Sequence, residues 1–191
     1  MKKTALLILD VQESFRQQAR WAEVSNPNIV ADVSRLVDAA RAGGHDVVWI
    51  LHADPEPDGE SPSDPASGFV QLLVGLDPAA GEPVITKTSR NAFTTTNLAQ
   101  RLTERGVGRL VVAGIQTEQC CETTARLAAD LGYDVTFVTE ATATFPITRP
   151  DTGAVLGTDE IVSRTEFALA GRFARISSIA QAFRVPEPAV A

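Results

Sequence analysis

The 191-residue chain is poor in the side chains that form cross-links or ligate metals, with only two cysteines and two histidines. Cys120 and Cys121 are adjacent in sequence, so they cannot join distant segments through a disulfide. A structural zinc site normally needs four Cys or His ligands drawn from several segments, and only His45 and His52 are available to complete one. The disulfide-scaffold and zinc-finger classes are therefore excluded.

Basic residues are also in the minority. The chain has 17 Lys and Arg against 24 Asp and Glu, which gives a net charge of −7 at pH 7. Without a basic cluster, binding to nucleic acid or to an anionic membrane surface is disfavoured. No stretch approaches the roughly 20 apolar residues of a membrane span, and MKKTALLILD lacks the cleavage site of a signal peptide. We expect a cytoplasmic protein whose partner is a small molecule or a second copy of itself.

What the chain does contain is a series of short, continuous apolar runs rich in β-branched residues, typical of strands that are covered on both faces of a parallel sheet. The runs are at 5–9, 47–51, 84–86, 110–113 and 135–138, with a short last candidate at 175–179. Patterns typical of amphipathic helices lie between or after them, at 28–42, 95–105, 118–131 and 160–171. This alternation predicts one three-layer α/β/α, Rossmann-like domain over residues 1–184 with a mainly parallel sheet, and a frayed tail at 185–191.

A proline-rich, acidic segment at 52–68 interrupts this alternation after the second strand. Segments of this length without apolar periodicity are lids, binding loops or solvated insertions, and the sequence leaves open which of these applies.

Three chemically useful side chains fall where ligands bind in such folds, at the carboxyl ends of the strands. Asp10 follows the first apolar run, Lys87 ends the weak third run, and Cys120 follows the fourth run after a short turn, with Thr117 as the expected N-cap. Taken singly, each has an ordinary structural explanation, as a turn residue, a surface lysine or a small core side chain. Their coincidence at one edge predicts a nucleophilic thiol whose anion is stabilised by the helix N-terminus and by Lys87, with Asp10 as general acid and base.

Three segments carry a family resemblance: LLILDVQESF, ITKTSRNAF and GIQTEQCCETTARLAADLGYDVTFV, in that order and at these spacings. The chain resembles the isochorismatase-like cysteine hydrolases, which include nicotinamidases and N-carbamoylsarcosine amidases. The resemblance implies an isochorismatase-like hydrolase fold, a homo-oligomer, and a catalytic triad of Asp10, Lys87 and Cys120. It also implies a cis peptide between Ile115 and Gln116, and an oxyanion hole formed by the backbone N–H groups of Gln116 and Cys120.

The metal site of nicotinamidases, built from one Asp and two His, is incomplete in this sequence. His52 and Asp54 fall in the corresponding region, but no second histidine follows. We therefore expect neither a metal nor another cofactor.

The second cysteine has a separate explanation. Cys121 shares a helical stripe with Ala125 and Ala128, which is typical of a core thiol rather than of a redox pair. Other side chains on segments near the triad are candidates for the substrate pocket, although each aromatic one is equally well explained as core. These candidates are Gln12, Phe15, Trp21, Phe93 and Phe145.

The sequence thus predicts a hydrolase that cleaves a C–N bond of a small amide, ureide or lactam through a Cys120 thioester. Two alternatives remain open. One is a vinyl-ether hydrolase of the isochorismatase type, with Asp10 as the acid and Cys120 as a bystander. The other is a catalytically idle binding protein of the same fold. The sequence does not identify the substrate.

Overall fold

A computed structural model describes residues 2–55 and 61–184. The predicted tail at 185–191 and the central part of the 52–68 loop lie outside these ranges. The strands are β1 (Lys3–Leu9), β2 (Asp46–His52), β3 (Val84–Lys87), β4 (Val107–Ile115), β5 (Asp134–Ala143), β6 (Ile147–Thr148), β7 (Val155–Leu156) and β8 (Arg175–Ile176). The α-helices are α1 (Glu13–Arg16), α2 (Ile29–Ala42), α3 (Leu98–Glu104), α4 (Glu122–Asp130) and α5 (Thr158–Leu169).

Six of these strands form one sheet in the order β3-β2-β1-β4-β5-β8. Every neighbouring pair in it is parallel. This arrangement confirms the predicted fold class. Because β1 and β4 are the two central strands, residues that follow them meet in the middle of the sheet's carboxyl edge.

Two apolar cores cover the two faces of the sheet. On one face, α2 buries its apolar stripe against β1, β2 and β4 together with Phe15 and Phe145. On the other face, α3, α4 and α5 pack over the alternate residues of the same strands. Since side chains of one strand point alternately to the two faces, a strand buried on both sides reads as a continuous apolar run, as in β1.

The sequence patterns missed or misplaced several short elements. The antiparallel pair β6 and β7 was not predicted, although the intervening RPDTG segment carries the Pro, Asp and Gly that favour a turn. The last predicted strand, 175–179, is confined to β8, and a 3₁₀ turn at Ile179–Gln181 follows it. Within the described ranges, no helix combines the length and the apolar character needed to cross a bilayer.

Candidate active site

The side chains of Asp10, Lys87 and Cys120 meet at the carboxyl edge of the sheet. The ammonium Nζ of Lys87 lies 2.8 Å from Oδ2 of Asp10. The same nitrogen donates to Sγ of Cys120 over 3.3 Å. Asp10 and Lys87 are fully buried, and Cys120 is 4% exposed. The three elements that carry these residues are far apart in sequence, so the fold alone brings them together.

Asp10 takes up an unusual backbone conformation directly after β1. Its φ of 54° makes it the one non-glycine residue with positive φ among the described residues. This left-handed region costs free energy for residues other than glycine, although Asp tolerates it better than most. Its N–H donates to the carbonyl oxygen of Ile50 on β2, over 2.8 Å. The turn thereby directs the carboxylate toward Lys87.

A glycine allows the central strands to approach one another at this point. Gly114 of β4 pairs with Leu9 of β1 and has a φ of 130°. A Cβ atom at position 114 would lie 2.0 Å from the carbonyl oxygen of Leu9, a distance that no side chain tolerates. Only glycine therefore permits this register, which places Asp10 beside the turn that precedes Cys120.

Lys87 ends β3, two strands away from β1 in the sheet. Its long side chain crosses the end of β2, where His52 is its register partner, to reach Asp10 and Cys120. A lysine with no solvent exposure must be paired or neutralised, because an isolated buried charge is very costly. The Asp10 carboxylate supplies that pairing.

The nucleophile candidate lies in an irregular first turn rather than in a regular α-helix. Residues Thr117–Cys121 form a π-helical turn ahead of α4, and the bond between Ile115 and Gln116 is cis. The prediction that Thr117 caps the helix was wrong, because its hydroxyl donates instead to Oγ1 of Thr142 on β5, over 2.9 Å. Such single π-turns are frequent at functional sites.

The second thiol faces the opposite way from the triad. Cys121 is fully buried in the apolar core that contains Ala125 and Ala128, as its position on the helical stripe predicted. Burial raises the pKa of this thiol well above its usual value.

The Cys120 thiol is protonated in the resting protein, which corrects the expectation of a stabilised thiolate. Burial is the largest influence and raises its pKa to about 12, with a further increase from the negative charge of Asp10. Lys87 acts in the opposite direction but does not compensate. The sequence placed the ammonium near the sulfur, but it did not reveal how completely the protein excludes water there.

The Asp10 carboxylate retains capacity to accept a proton. Lys87 pairs with Oδ2 by charge at short range. The other oxygen, Oδ1, has neither an ion pair nor a hydrogen bond among the described residues. Buried acceptors are nearly always satisfied in folded proteins, so the unpartnered Oδ1 beside the Cys120 thiol is a mark of a functional site.

Gln12 fixes the ends of two strands relative to each other. Its side-chain amide donates to the carbonyl oxygen of His52 over 2.9 Å and accepts from the His52 N–H over 2.7 Å. It also donates to Oγ of Ser14, over 2.7 Å. Because Gln12 is fully buried, these hydrogen bonds hold the segment that follows Asp10 against the end of β2 at His52.

His52 extends the contacts of the triad toward the surface. Its Nδ1 lies 3.2 Å from Nζ of Lys87, and its Nε2 lies 2.9 Å from a terminal nitrogen of Arg90. Burial and then the charge of Lys87 lower the pKa of the imidazole, so it is neutral at physiological pH. The sequence analysis had considered His52 only as an incomplete metal ligand, and Arg90 was missed because only its place three residues after Lys87 hinted at a role.

The metal of the nicotinamidases does not fit this arrangement. A metal ligand must direct a ring nitrogen lone pair at the ion, but both nitrogens of His52 face cationic side chains. Among the residues that the structure describes, no three His, Cys, Asp or Glu side chains are grouped as a metal site requires.

The aromatic pocket candidates divide into two groups. Phe15 stacks on Phe145 with a centroid distance of 6.0 Å, and Trp21 packs against Phe145 at 6.2 Å. The Arg20 guanidinium lies 4.7 Å from the Phe145 ring centroid. Phe93 is not part of this cluster, because it belongs to the core on the other face and stacks on Tyr133.

One large cavity lies away from the triad. It has a volume of about 830 Å³ and lies at the amino edge of the sheet, between residues such as Thr4, Arg109, Asp134 and Arg175. The buried charged pair of Asp10 and Lys87 lies instead at the carboxyl edge, beside Cys120.

Comparison with known proteins agrees with this geometry. Residues 4–156 match the sequence profile of the Isochorismatase domain. The chain is 37% identical over 145 residues to a streptothricin hydrolase of Streptomyces noursei, covering 75% of this chain and 55% of that protein. It is 33% identical over 159 residues to a probable inactive nicotinamidase of Arabidopsis thaliana, covering 74% of this chain and 81% of the relative.

A solved structure extends the likeness to nearly the whole chain. The crystal structure of a hydrolase of the isochorismatase family from Chromobacterium violaceum ATCC 12472 superimposes with a TM-score of 0.85 at 30% identity, covering 93% of this chain and 90% of the other.

Proposed function

Because the chain belongs to the isochorismatase family of hydrolases, we propose that it cleaves a C–N bond of a small amide, ureide or lactam with Cys120 as the nucleophile. The observation that carries this proposal is the contact between the Cys120 thiol and a buried lysine that is itself paired with Asp10. A nucleophile, a base and a group that orients both are the elements of covalent hydrolysis.

The first half of the reaction begins with a protonated thiol, since the pKa of Cys120 is raised to about 12. Asp10 removes the thiol proton as the sulfur attacks the carbonyl carbon and the S–C bond forms. The backbone N–H groups of Gln116 and Cys120 bind the resulting oxyanion. The C–N bond then breaks, Asp10 returns the proton to the leaving nitrogen, and an acyl thioester remains on Cys120.

In the second half, water replaces the amine. Asp10 takes a proton from the water as its oxygen attacks the thioester carbonyl. The S–C bond breaks, the carboxylic acid leaves, and the proton returns to the Cys120 sulfur. Lys87 holds the Asp10 carboxylate in place and stabilises negative charge on sulfur during both halves. This sequence consumes one water molecule and requires no cofactor.

A panel of small amides, ureides and lactams, assayed for release of ammonia or amine, tests the proposal. Cys120→Ala should reduce turnover by roughly 10³-fold or more, because the covalent route is lost. Cys121→Ala is the matched control and should retain turnover. Acid quenching during turnover should add the acyl mass to the peptide that contains Cys120.

Two results would contradict the proposal. Full activity of Cys120→Ala would indicate acid catalysis by Asp10, as in a vinyl-ether hydrolase. Absence of turnover and of any acyl adduct on every substrate would favour the idle binding protein.

A further inference from the structure

The contacts of His52 cannot all be satisfied at once. An ammonium and a guanidinium are donors only, whereas a neutral imidazole has one N–H donor and one acceptor nitrogen. Lys87 approaches one ring nitrogen and Arg90 approaches the other. In either tautomer of neutral His52, one ring nitrogen carries a hydrogen. That N–H then faces an N–H of Lys87 or of Arg90, and the two donors repel each other. Protonating the ring would make both contacts repulsive.

Arg90 also lacks an acidic partner in the part of the chain that the structure describes. Most of the arginines with side-chain contacts in the described part of the chain pair with a carboxylate, as Arg41 does with Glu82. Arg90 forms no ion pair with any residue that the structure describes, and its side chain is exposed. The guanidinium N–H donors that do not face His52 are therefore available to a ligand.

The position of this guanidinium connects it to the reaction. One imidazole ring separates it from Lys87, and Lys87 contacts the Cys120 sulfur. A molecule whose carbonyl carbon lies on the sulfur would place a group a few bonds away within reach of Arg90. A carboxylate there would accept two N–H bonds from the guanidinium and would draw it away from His52. That movement would also remove the unfavourable contact at the ring.

We infer that Arg90 is a specificity-determining residue that binds a carboxylate of the substrate, so that the substrate is an acidic amide rather than a neutral one. The claim that the bound molecule is a substrate rests on the proposed function. The claim that Arg90 binds a carboxylate does not depend on turnover. The chain as a whole carries a net charge of −7, so a cation beside the triad that pairs with no described carboxylate is the local feature that would attract an anion.

The test compares half-amides of dicarboxylic acids with the corresponding diamides, for example succinamate with succinamide and glutaramate with glutaramide. Each pair differs only in carboxylate against amide. Wild-type protein should favour the half-amides, and Arg90→Met should reduce the ratio of kcat/KM values for half-amide over diamide by about 10- to 100-fold, as expected for loss of charge-assisted hydrogen bonds. Arg90→Lys should retain part of the preference, because it keeps the charge but not the fork.

The matched control is Arg101→Met, since Arg101 is an exposed arginine on α3 whose described hydrogen bond is local, to Asn97. It should leave the ratio unchanged. An equal loss on half-amide and diamide in Arg90→Met would show that Arg90 only supports His52 and Lys87, and would overturn the inference.

A binding measurement separates this inference from the proposed function. Calorimetric titration of Cys120→Ala with succinate and glutarate should show binding that weakens by about 10-fold or more when Arg90→Met is added. Dicarboxylate binding that depends on Arg90 without turnover of any amide would uphold the anion site and refute the hydrolase proposal. Turnover that depends on Cys120, but with no preference for half-amides, would uphold the hydrolase and refute the anion site. Neither turnover nor binding would refute both.

Discussion

Alkylation of Cys120 in the resting protein should be slow at neutral pH. Raising the pKa from the ordinary 9.0 to about 12 lowers the thiolate population by about 1,000-fold, at tenfold per unit. A more basic thiolate is also a better nucleophile, which restores about 20-fold of the rate. The net expectation is a rate roughly 50-fold below that of the same thiol in an unfolded chain. The 4% exposure of Cys120 would slow the reaction further.

The assay treats the Cys121→Ala variant with iodoacetamide, so that Cys120 is the one thiol that can react. Mass spectrometry of the intact protein then measures the alkylated fraction. The rate is measured from about pH 7 to 10 in the folded protein and in denaturing urea. In urea, the rate should level off as the pH passes the ordinary pKa of 9.0. In the folded protein it should continue to rise about tenfold per pH unit across the whole range. Circular dichroism at each pH verifies that the protein remains folded.

A folded-state rate at pH 7 equal to or faster than the rate in urea would refute this reasoning. So would a plateau below about pH 8, since it would mean a pKa below the ordinary range. Either result would show that Lys87 and the helix start outweigh burial and that the thiolate exists before substrate binds. The first chemical step would then involve no proton transfer to Asp10.

The remaining predictions concern the scaffold, the second thiol and metals. Gly114→Ala should destabilise the fold by about 3 kcal/mol or more, measured by urea unfolding, because its Cβ would collide with the Leu9 backbone; a loss below about 1 kcal/mol would disprove the need for glycine. Cys121→Ser should lower the free energy of unfolding by roughly 1–3 kcal/mol through its buried hydroxyl, while the folded fraction keeps its turnover; an inactive but folded variant would shift the nucleophile to Cys121. Treatment with a strong chelator should leave turnover unchanged, and activity that is lost and then restored by zinc or iron would show that His52 does ligate a metal.

Much of the fold and the position of the triad follow from local sequence. The apolar run before Asp10 and the run before Cys120 predict strands whose carboxyl ends share an edge, and β1 and β4 are indeed neighbours. Properties that depend on tertiary packing were not accessible in this way. The raised pKa of Cys120 depends on how completely water is excluded, and the contact between His52 and Arg90 depends on the reach of side chains across β2. Phe93 illustrates the same limit, because its position in the chain does not reveal which face of the sheet it covers.

The protonated thiol has consequences for how a site of this kind persists in the cell. The thiolate is the form that oxidants and electrophiles attack, so a cysteine that stays protonated is protected while no substrate is bound. The same exclusion of water that raises the pKa of Cys120 strengthens the interaction of backbone N–H groups with a developing oxyanion. In the proposed reaction, removing the thiol proton therefore becomes favourable only when a carbonyl carbon is present to receive the sulfur electron pair. In the proposed reaction, that proton goes to the carboxylate of Asp10, whose Oδ1 has no partner among the described residues.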